Sequence, residues 1–325
     1  MHNNYTYTSS LSNHISNFIA EKQSLGYKYQ NEAYWMKNFD DYWRNFGYNE
    51  VGLTPENISE WLIQRENESS KTLSIRLCVI REFSKYLNGL GIQSYIPNYS
   101  VKLKQPFKHK FTQSEISDLF AQIDNFYVDS VSTYTKRMAD EYPIIFRLIY
   151  LHGLRISEAC YLRAHNVDLK TGIITIQDGK GHIDRLVYMA EDMHKLCCSY
   201  FAYVSKLIGD RPFYFFPGKN IKKSISRNSV NRTFNICWRR TSYADKCDIK
   251  PTVHDLRHAF IMNRINIWLK RGLNFAQMLP YLSKFLGHKS FVGTYYYCHY
   301  AEEAARIIQE RDSVIHRVIP KVKRR

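Results

Sequence analysis

With 46 lysines and arginines against 30 aspartates and glutamates in 325 residues, the chain carries a formal charge of +16 and a pI near 9.4. Such a balance points to a polyanionic partner, nucleic acid first, and the length suits two domains with a sizeable core. The seven cysteines are odd in number and show no C-x-x-C spacing, which argues against a disulfide framework and a cysteine zinc site.

Residues 1–95 read as a helical domain. They begin on a polar stretch, Met1 to Thr6, rather than on a basic, apolar leader. The later apolar run from Tyr142 to Leu151 is short and broken by Arg147, so the expected location is the cytoplasm. Thr54-Pro55-Glu56 is a helix start, with an N-cap hydroxyl and a proline at the first turn, and Ile58, Trp61, Leu62 and Arg65 follow at helical spacing. A second helix runs from about Ser70 to Leu87 on Leu73, Leu77, Ile80 and Phe83, with Lys71, Arg76, Arg81 and Lys85 around it. Those four cations are either a solvated face or a DNA-contacting one.

Asn88-Gly89-Leu90-Gly91 closes that helix. Residues 96–110 carry Lys102, Lys104, Lys108 and Lys110 with Pro97 and Pro106 and read as an extended basic linker. The second domain, residues 111–325, opens on the capping box Thr112-Gln113-Ser114-Glu115. It is helical except where Ile173–Ile176 and Arg185–Tyr188 flank Asp178-Gly179-Lys180-Gly181-His182, a hairpin pattern. The expected fold is a mostly α N-terminal domain followed by a helix-rich α+β domain with a small antiparallel sheet. Residues 1–107 hold 11 basic against 10 acidic side chains, which leaves 35 against 20 in the remainder, so the positive field belongs to the second domain.

Four strings in that domain carry chemistry. They are His152-Gly153-Leu154-Arg155-Ile156-Ser157-Glu158, Gly179-Lys180-Gly181, His254-Asp255-Leu256-Arg257-His258 and Leu286-Gly287-His288, the last followed nine residues on by Tyr297-Cys298-His299. Breaking a DNA strand while conserving its bond energy needs a nucleophile, neutralisation of the phosphate oxygens and a proton for the departing 5′ oxygen. A tyrosine suits the first role, arginine forks the second, and histidine or lysine the third. Read singly, each residue has a duller role: Arg155 as a surface arginine paired with Glu158, Lys180 as an exposed hairpin lysine. His254 and His258 stand four apart as in a helical zinc site, but the glutamate that such a motif needs does not follow His254, so no metal and no other cofactor is expected.

Together the strings resemble the catalytic signature of the tyrosine recombinases, the phage integrase family. The resemblance covers residues 108–300, and the helical part before them resembles the family's core-binding domain by position and pattern. It implies that Arg155 and Arg257 bind the scissile phosphate, that Lys180 is the general acid, and that His254 and His288 hydrogen-bond the phosphate. It also implies that Tyr297 forms a 3′-phosphotyrosyl link. Glu158 resembles the supporting carboxylate, three residues from Arg155 in a helical relation, and His258 and His299 are supporting positions. Tyr296 is the neighbouring alternative to Tyr297, since adjacent helical residues point about 100° apart.

Tyr188 stands where many members have proline, and Gly293-Thr294 replaces a frequent threonine pair. The latter, with Leu279 to Lys284, is similar to recombinases of transposons and integrative elements. An amphipathic segment from Ala301 to Val318 resembles the helix by which members dock on a neighbouring subunit, and the tail after it is basic. The implied protein is therefore a site-specific recombinase of a mobile element acting on duplex DNA as a tetramer. A chromosome-dimer resolvase is the nearest alternative, a type IB topoisomerase a second, and a silent DNA-binding factor a third.

Overall fold

Apolar residues recurring every three or four positions in the first hundred residues fold into helices with one shared interior. The structure, a computed structural model, describes residues 5–103, 108–126, 133–177 and 184–288, and it divides into two units, Met1–Pro106 and Phe107–Arg325. In the first, α1 (Ser12–Ser24), α2 (Gln30–Asn45), α3 (Pro55–Ser59) and α4 (Ser70–Gly89) bury Phe18, Met36, Phe39, Trp43, Ile80 and Phe83 in one core. Asp40 falls on the buried stripe of α2. Its carboxylate is satisfied there by the backbone N–H groups of Thr8 and Ser9 and by the Ser9 hydroxyl, at 2.8, 3.0 and 2.6 Å. The chain's start is thereby pinned to the core.

Two expectations change here. The helix begun by the Thr54 cap stops at Ser59 instead of running through Arg65. Its would-be continuation tightens into turns, Leu62 and Ile63 donating to the Ser59 and Glu60 carbonyls at 3.1 and 3.2 Å, and the Ile63 carbonyl accepts from Arg76 at 2.8 Å. Arg76 is also withdrawn from the DNA-contacting face: it is 1% exposed, paired with Glu68 at 3.0 Å and stacked over Trp61 at 5.0 Å. A buried guanidinium of this kind braces a loop and cannot reach a backbone phosphate.

In the second unit the capping box at Thr112 starts α5 (Gln113–Asp124), as its residues require. The long α6 (Thr133–His152) buries Ile145, Phe146, Leu148 and Ile149 and packs along α8 (Glu191–Ile208) and α10 (Val253–Lys270). Between α6 and α8 lie the short α7 (Ile156–Cys160) and an antiparallel sheet, β1 (Val167–Asp168), β2 (Ile173–Ile176) and β3 (Arg185–Tyr188), in the order β1-β2-β3. Strand β1 is too short to have announced itself in sequence. Ile174 pairs with both Val167 and Val187, so three apolar side chains share one face. Next in chain order are α9 (Arg227–Arg239), which packs on α5, then α10 and α11 (Phe275–Leu286). Leu282 and Leu286 join Phe260, Ile261 and Ile265 in a separate apolar cluster, which fixes the end of α11 against α10. No helix among the described residues is long and apolar enough to cross a membrane.

Removing one member of the buried Arg76–Glu68 pair strands the other charge. Arg76→Ala is therefore expected to lower the unfolding free energy by about 3–5 kcal/mol, and replacing both residues by apolar ones should recover most of it. Urea unfolding measures both; a loss below about 1 kcal/mol for Arg76→Ala would place the pair at the surface.

Candidate active site

The site is built where three chain segments end against one another. Helix α6 stops at Gly153, which takes φ +65°; a Cβ there would come within 2.6 Å of the Phe260 ring, so both the backbone and the space demand glycine. That turn drops Leu154 into the core and sets Arg155 at the N-cap of α7. Glu158, three residues on, returns its carboxylate to the Arg155 backbone N–H at 2.8 Å and takes the Arg155 guanidinium at 2.7 Å. The expected helical i, i+3 relation is thus a capping relation, since Arg155 precedes the helix rather than lying in it.

From β3 a second arginine reaches the same carboxylate. Arg185 Nη1 and Nη2 donate to the two oxygens of Glu158 at 3.0 and 2.6 Å, a fork-to-fork pair, and the side chain is 4% exposed. The sequence reading passed over it. The signal was the strand's period of two, which puts Arg185 on the buried face with Val187 while Leu186 and Tyr188 face out.

The third arginine comes from α10, whose start is fixed where the Thr252 backbone N–H and hydroxyl both donate to Oδ2 of Asp255, at 2.7 and 2.8 Å. Arg257 is 2% exposed. It donates to the Gly153 carbonyl, to the Leu286 carbonyl at 2.8 Å and to Nε2 of His288 at 3.2 Å, with Glu158 at 3.8 Å. Because a guanidinium can only donate, Nε2 of His288 accepts and its proton sits on Nδ1. Gly287, at φ +64°, ends α11 and offers its carbonyl to Arg155 Nη2 at 3.0 Å.

Arg155, Glu158, Arg257 and His288 are therefore brought together as named residues of one cluster, and His254 and His258 stand a turn apart on α10 with rings 4.5 Å from one another. Lys180, Tyr297, His299 and the C-terminal segment lie outside the described residues, as does Lys104. Lys108 belongs to the second unit rather than to a free linker; burial lowers its ammonium, and Asp255 opposes this. Lys71, Lys102 and Lys110 are exposed. Lys85 pairs with Glu82 at 2.8 Å, and Arg81 donates to the Pro97 and Tyr99 carbonyls at 2.8 and 2.7 Å.

The electrostatics follow from the packing. Burial alone would raise Glu158, but the bonds and charge of Arg185, then those of Arg155, overcome it and hold the carboxyl at about 2. Three guanidiniums thus surround one carboxylate, an excess of positive charge in a mostly enclosed space. The same field holds the imidazoles neutral. Burial, then Arg257 and Arg155, bring His288 to about 4, and burial, then His254 and Lys108, bring His258 to about 3. Neighbouring protein atoms, then Arg257 and Lys108, bring His254 to about 4, although that residue is exposed.

Each of these histidines binds its proton more weakly in the folded chain than an unfolded imidazole does at about 6.5. Their contribution to stability is accordingly complete above that value and is lost as pH falls through it towards 4. Glu158, also depressed, adds a further loss only below about 4.5. Replacing His258 by Asn should flatten the dependence of unfolding free energy on pH between about 6.5 and 4 by up to one proton, roughly 1.4 kcal/mol per pH unit. Denaturant unfolding across that range measures the slope, and a slope equal to the wild type's would show that His258 titrates normally.

Comparison with known proteins gives this cluster a context. Residues 109–304 match the phage integrase family, more than half of the chain. Tyrosine recombinase XerA of Pyrococcus furiosus is 27% identical over 177 residues, 54% of this chain and 56% of that protein, so the chain spans little more than half the length of that relative. A putative integrase/recombinase, y4rB, of Sinorhizobium fredii is 23% identical over 87% of this chain and 90% of its own length. Among solved structures, XerH site-specific recombinase bound to its palindromic difH substrate superposes with a TM-score of 0.63 at 18% identity, covering 88% of this chain and 79% of that one. The Tn1549 transposon integrase in complex with circular intermediate DNA gives 0.62 at 17%, covering 92% and 99%. Those likenesses establish the fold, a helix-rich catalytic domain with a small antiparallel sheet, and the match over residues 109–304 establishes the kinship: the chain belongs to the phage integrase family of tyrosine recombinases.

Proposed function

We propose that the protein is a site-specific DNA recombinase that cuts and rejoins duplex DNA through a covalent 3′-phosphotyrosyl link. The observation that carries this is the buried group of three arginines on one carboxylate, whose surplus positive charge fits a phosphodiester and no neutral substrate. Arg155 and Arg257 neutralise the non-bridging oxygens, and His254 and His288, neutral at physiological pH, hydrogen-bond them. Tyr297 attacks phosphorus as the bond to the 5′ oxygen breaks, and Lys180 gives that oxygen its proton. The last two roles rest on their sequence strings within a family-matched segment. Tyr297 is chosen over Tyr296 by its interval from His288.

The substrate reading extends to duplex DNA bound by several copies, a tetramer on two sites, with the amphipathic segment after Ala301 docking each subunit on its neighbour. Lys71, Arg81, Lys85, Lys102 and Lys110 supply backbone contacts. A mobile element is the context favoured by the Gly293-Thr294 variant. The matches to XerA of Pyrococcus furiosus and to XerD of Pasteurella multocida, the latter 27% identical over 80% of this chain, favour the second reading, a chromosome-dimer resolvase.

Covalent capture tests the chemistry before the site is known. Purified protein is incubated with fragmented genomic DNA of its source, quenched with detergent, and the DNA that stays attached is sequenced at its protein-linked end. Wild type should recover one or a few sequences joined through a 3′ end, with EDTA making no difference; recovery restricted to the ends of an inserted element supports the mobile-element reading. Tyr297→Phe should recover none, and Arg155→Lys about 10²–10³-fold less. An adduct from Tyr297→Phe equal to the wild type's would move the nucleophile to another tyrosine, and attachment without sequence preference would make the protein a topoisomerase.

A further inference from the structure

Arg185 touches no position a phosphate would occupy by the reading above, yet it is buried with both terminal nitrogens on Glu158. We propose that Arg185 is a positioning residue for the recombination reaction, which acts by engaging the Glu158 carboxylate in a fork so that Arg155 binds that carboxylate with one nitrogen only. The inference rests on the proposed recombinase activity and adds a residue to its machinery.

The geometry carries it in three steps. A carboxylate and a lone guanidinium settle into a bidentate pair, two parallel N–H···O bonds. At Glu158 that arrangement belongs to Arg185, at 3.0 and 2.6 Å, whereas the Arg155 guanidinium gives the carboxylate only Nη1, at 2.7 Å. The second oxygen, which Arg155 Nη2 would need for a fork of its own, is held by Arg185 and by the Arg155 backbone N–H at 2.8 Å. Nη2 of Arg155 turns instead to the Gly287 carbonyl at 3.0 Å, beside His288. With Arg185 removed, Glu158 is free to swing onto Arg155 and take the edge that must face the phosphate.

The position is closely fitted from the other side as well. A Cβ on Gly287 would stand 3.0 Å from Arg185 Nη1, so the glycine that orients the Arg155 carbonyl partner also makes room for the Arg185 head. Arg185 further supplies the largest opposition to the burial of Glu158.

The test uses a nicked suicide duplex carrying the sequence that wild type retains covalently, with single-turnover adduct formation measured at saturating and at limiting DNA. Arg185→Met should slow the saturated rate about 10- to 100-fold, the scale of a misplaced catalytic group, while the DNA concentration for half-saturation moves less than about threefold. Arg185→Lys keeps the charge but not the fork, so it should restore only part of the rate. The double variant with Glu158→Gln should be no slower than Glu158→Gln alone. Losses that multiply in the double variant, or a loss confined to DNA affinity, would overturn the assignment. Melting temperatures of the variants separate a failure to fold from these outcomes, and Arg185→Lys supplies the reading if Arg185→Met does not fold. If wild type forms no adduct, the recombinase reading falls first and this assignment with it; an active wild type with multiplicative losses removes this assignment alone.

Discussion

A single buried carboxylate, Glu158, organises the second unit's chemistry. Leaving an ionised carboxylate in a site 7% exposed is strongly unfavourable unless cations and N–H donors surround it, and here two guanidiniums and a backbone amide do so. Each cation arrives from a different element: Arg155 from the turn after α6, Arg185 from β3, and Arg257, at 3.8 Å, from α10. The ends of those elements must therefore converge to within a few ångströms, and the two left-handed glycines at 153 and 287 permit it. Packing and chemistry are one constraint at this point. A fold that let α11 drift from α10 would lose the Leu286 carbonyl that holds Arg257, and with it the partner of His288.

The same convergence sets the protonation of the histidines. Three arginines and Lys108 in and around an enclosed space disfavour any further positive charge, so His258 and His288 stay neutral well below the usual imidazole range. For His288 this fixes more than charge. Nε2 is committed as an acceptor to Arg257, so Nδ1 is the donor it can offer to an anion. In the proposed reaction an imidazolium in this place would keep the Nδ1 donor but could no longer accept from Arg257 at Nε2. Neutrality and tautomer thus follow from the arginines rather than from the histidine's own neighbours in sequence.

Much of the fold could be read from the chain because local signals and packing agree there. The Thr54 and Thr112 caps, the stripe Leu73, Leu77, Ile80, Phe83 and the pair of strands around residues 178–183 each have a local cause. The readings that failed share a different feature, since each depended on a partner distant in sequence. Beyond Ser59 helix α3 gives way to turns whose Ile63 carbonyl is taken by Arg76, and Arg76 leaves the surface because Glu68 and Trp61 enclose it. Nothing within one turn of Arg76 announces either partner. The site shows the same division. Arg155, Arg257 and His288 were legible through their strings, which are local, whereas Arg185 became visible only when β3 was laid against β2 and its parity placed the side chain inward.

Arginine rather than lysine at all three positions has a physical reason in this geometry. Arg257 satisfies two backbone carbonyls and a histidine nitrogen at once, and Arg155 divides its donors between Glu158 and the Gly287 carbonyl. An ammonium carries three donors on one atom and cannot span such partners, and in an enclosed site it can lose its proton, whereas a guanidinium stays charged. Carbonyls and a neutral imidazole hold Arg257 without cancelling its charge, and the one carboxylate is shared with Arg155 and Arg185. The scaffold thereby fixes the direction of each cation while leaving the group electrically unsatisfied. In the proposed reaction an anionic phosphodiester completes it.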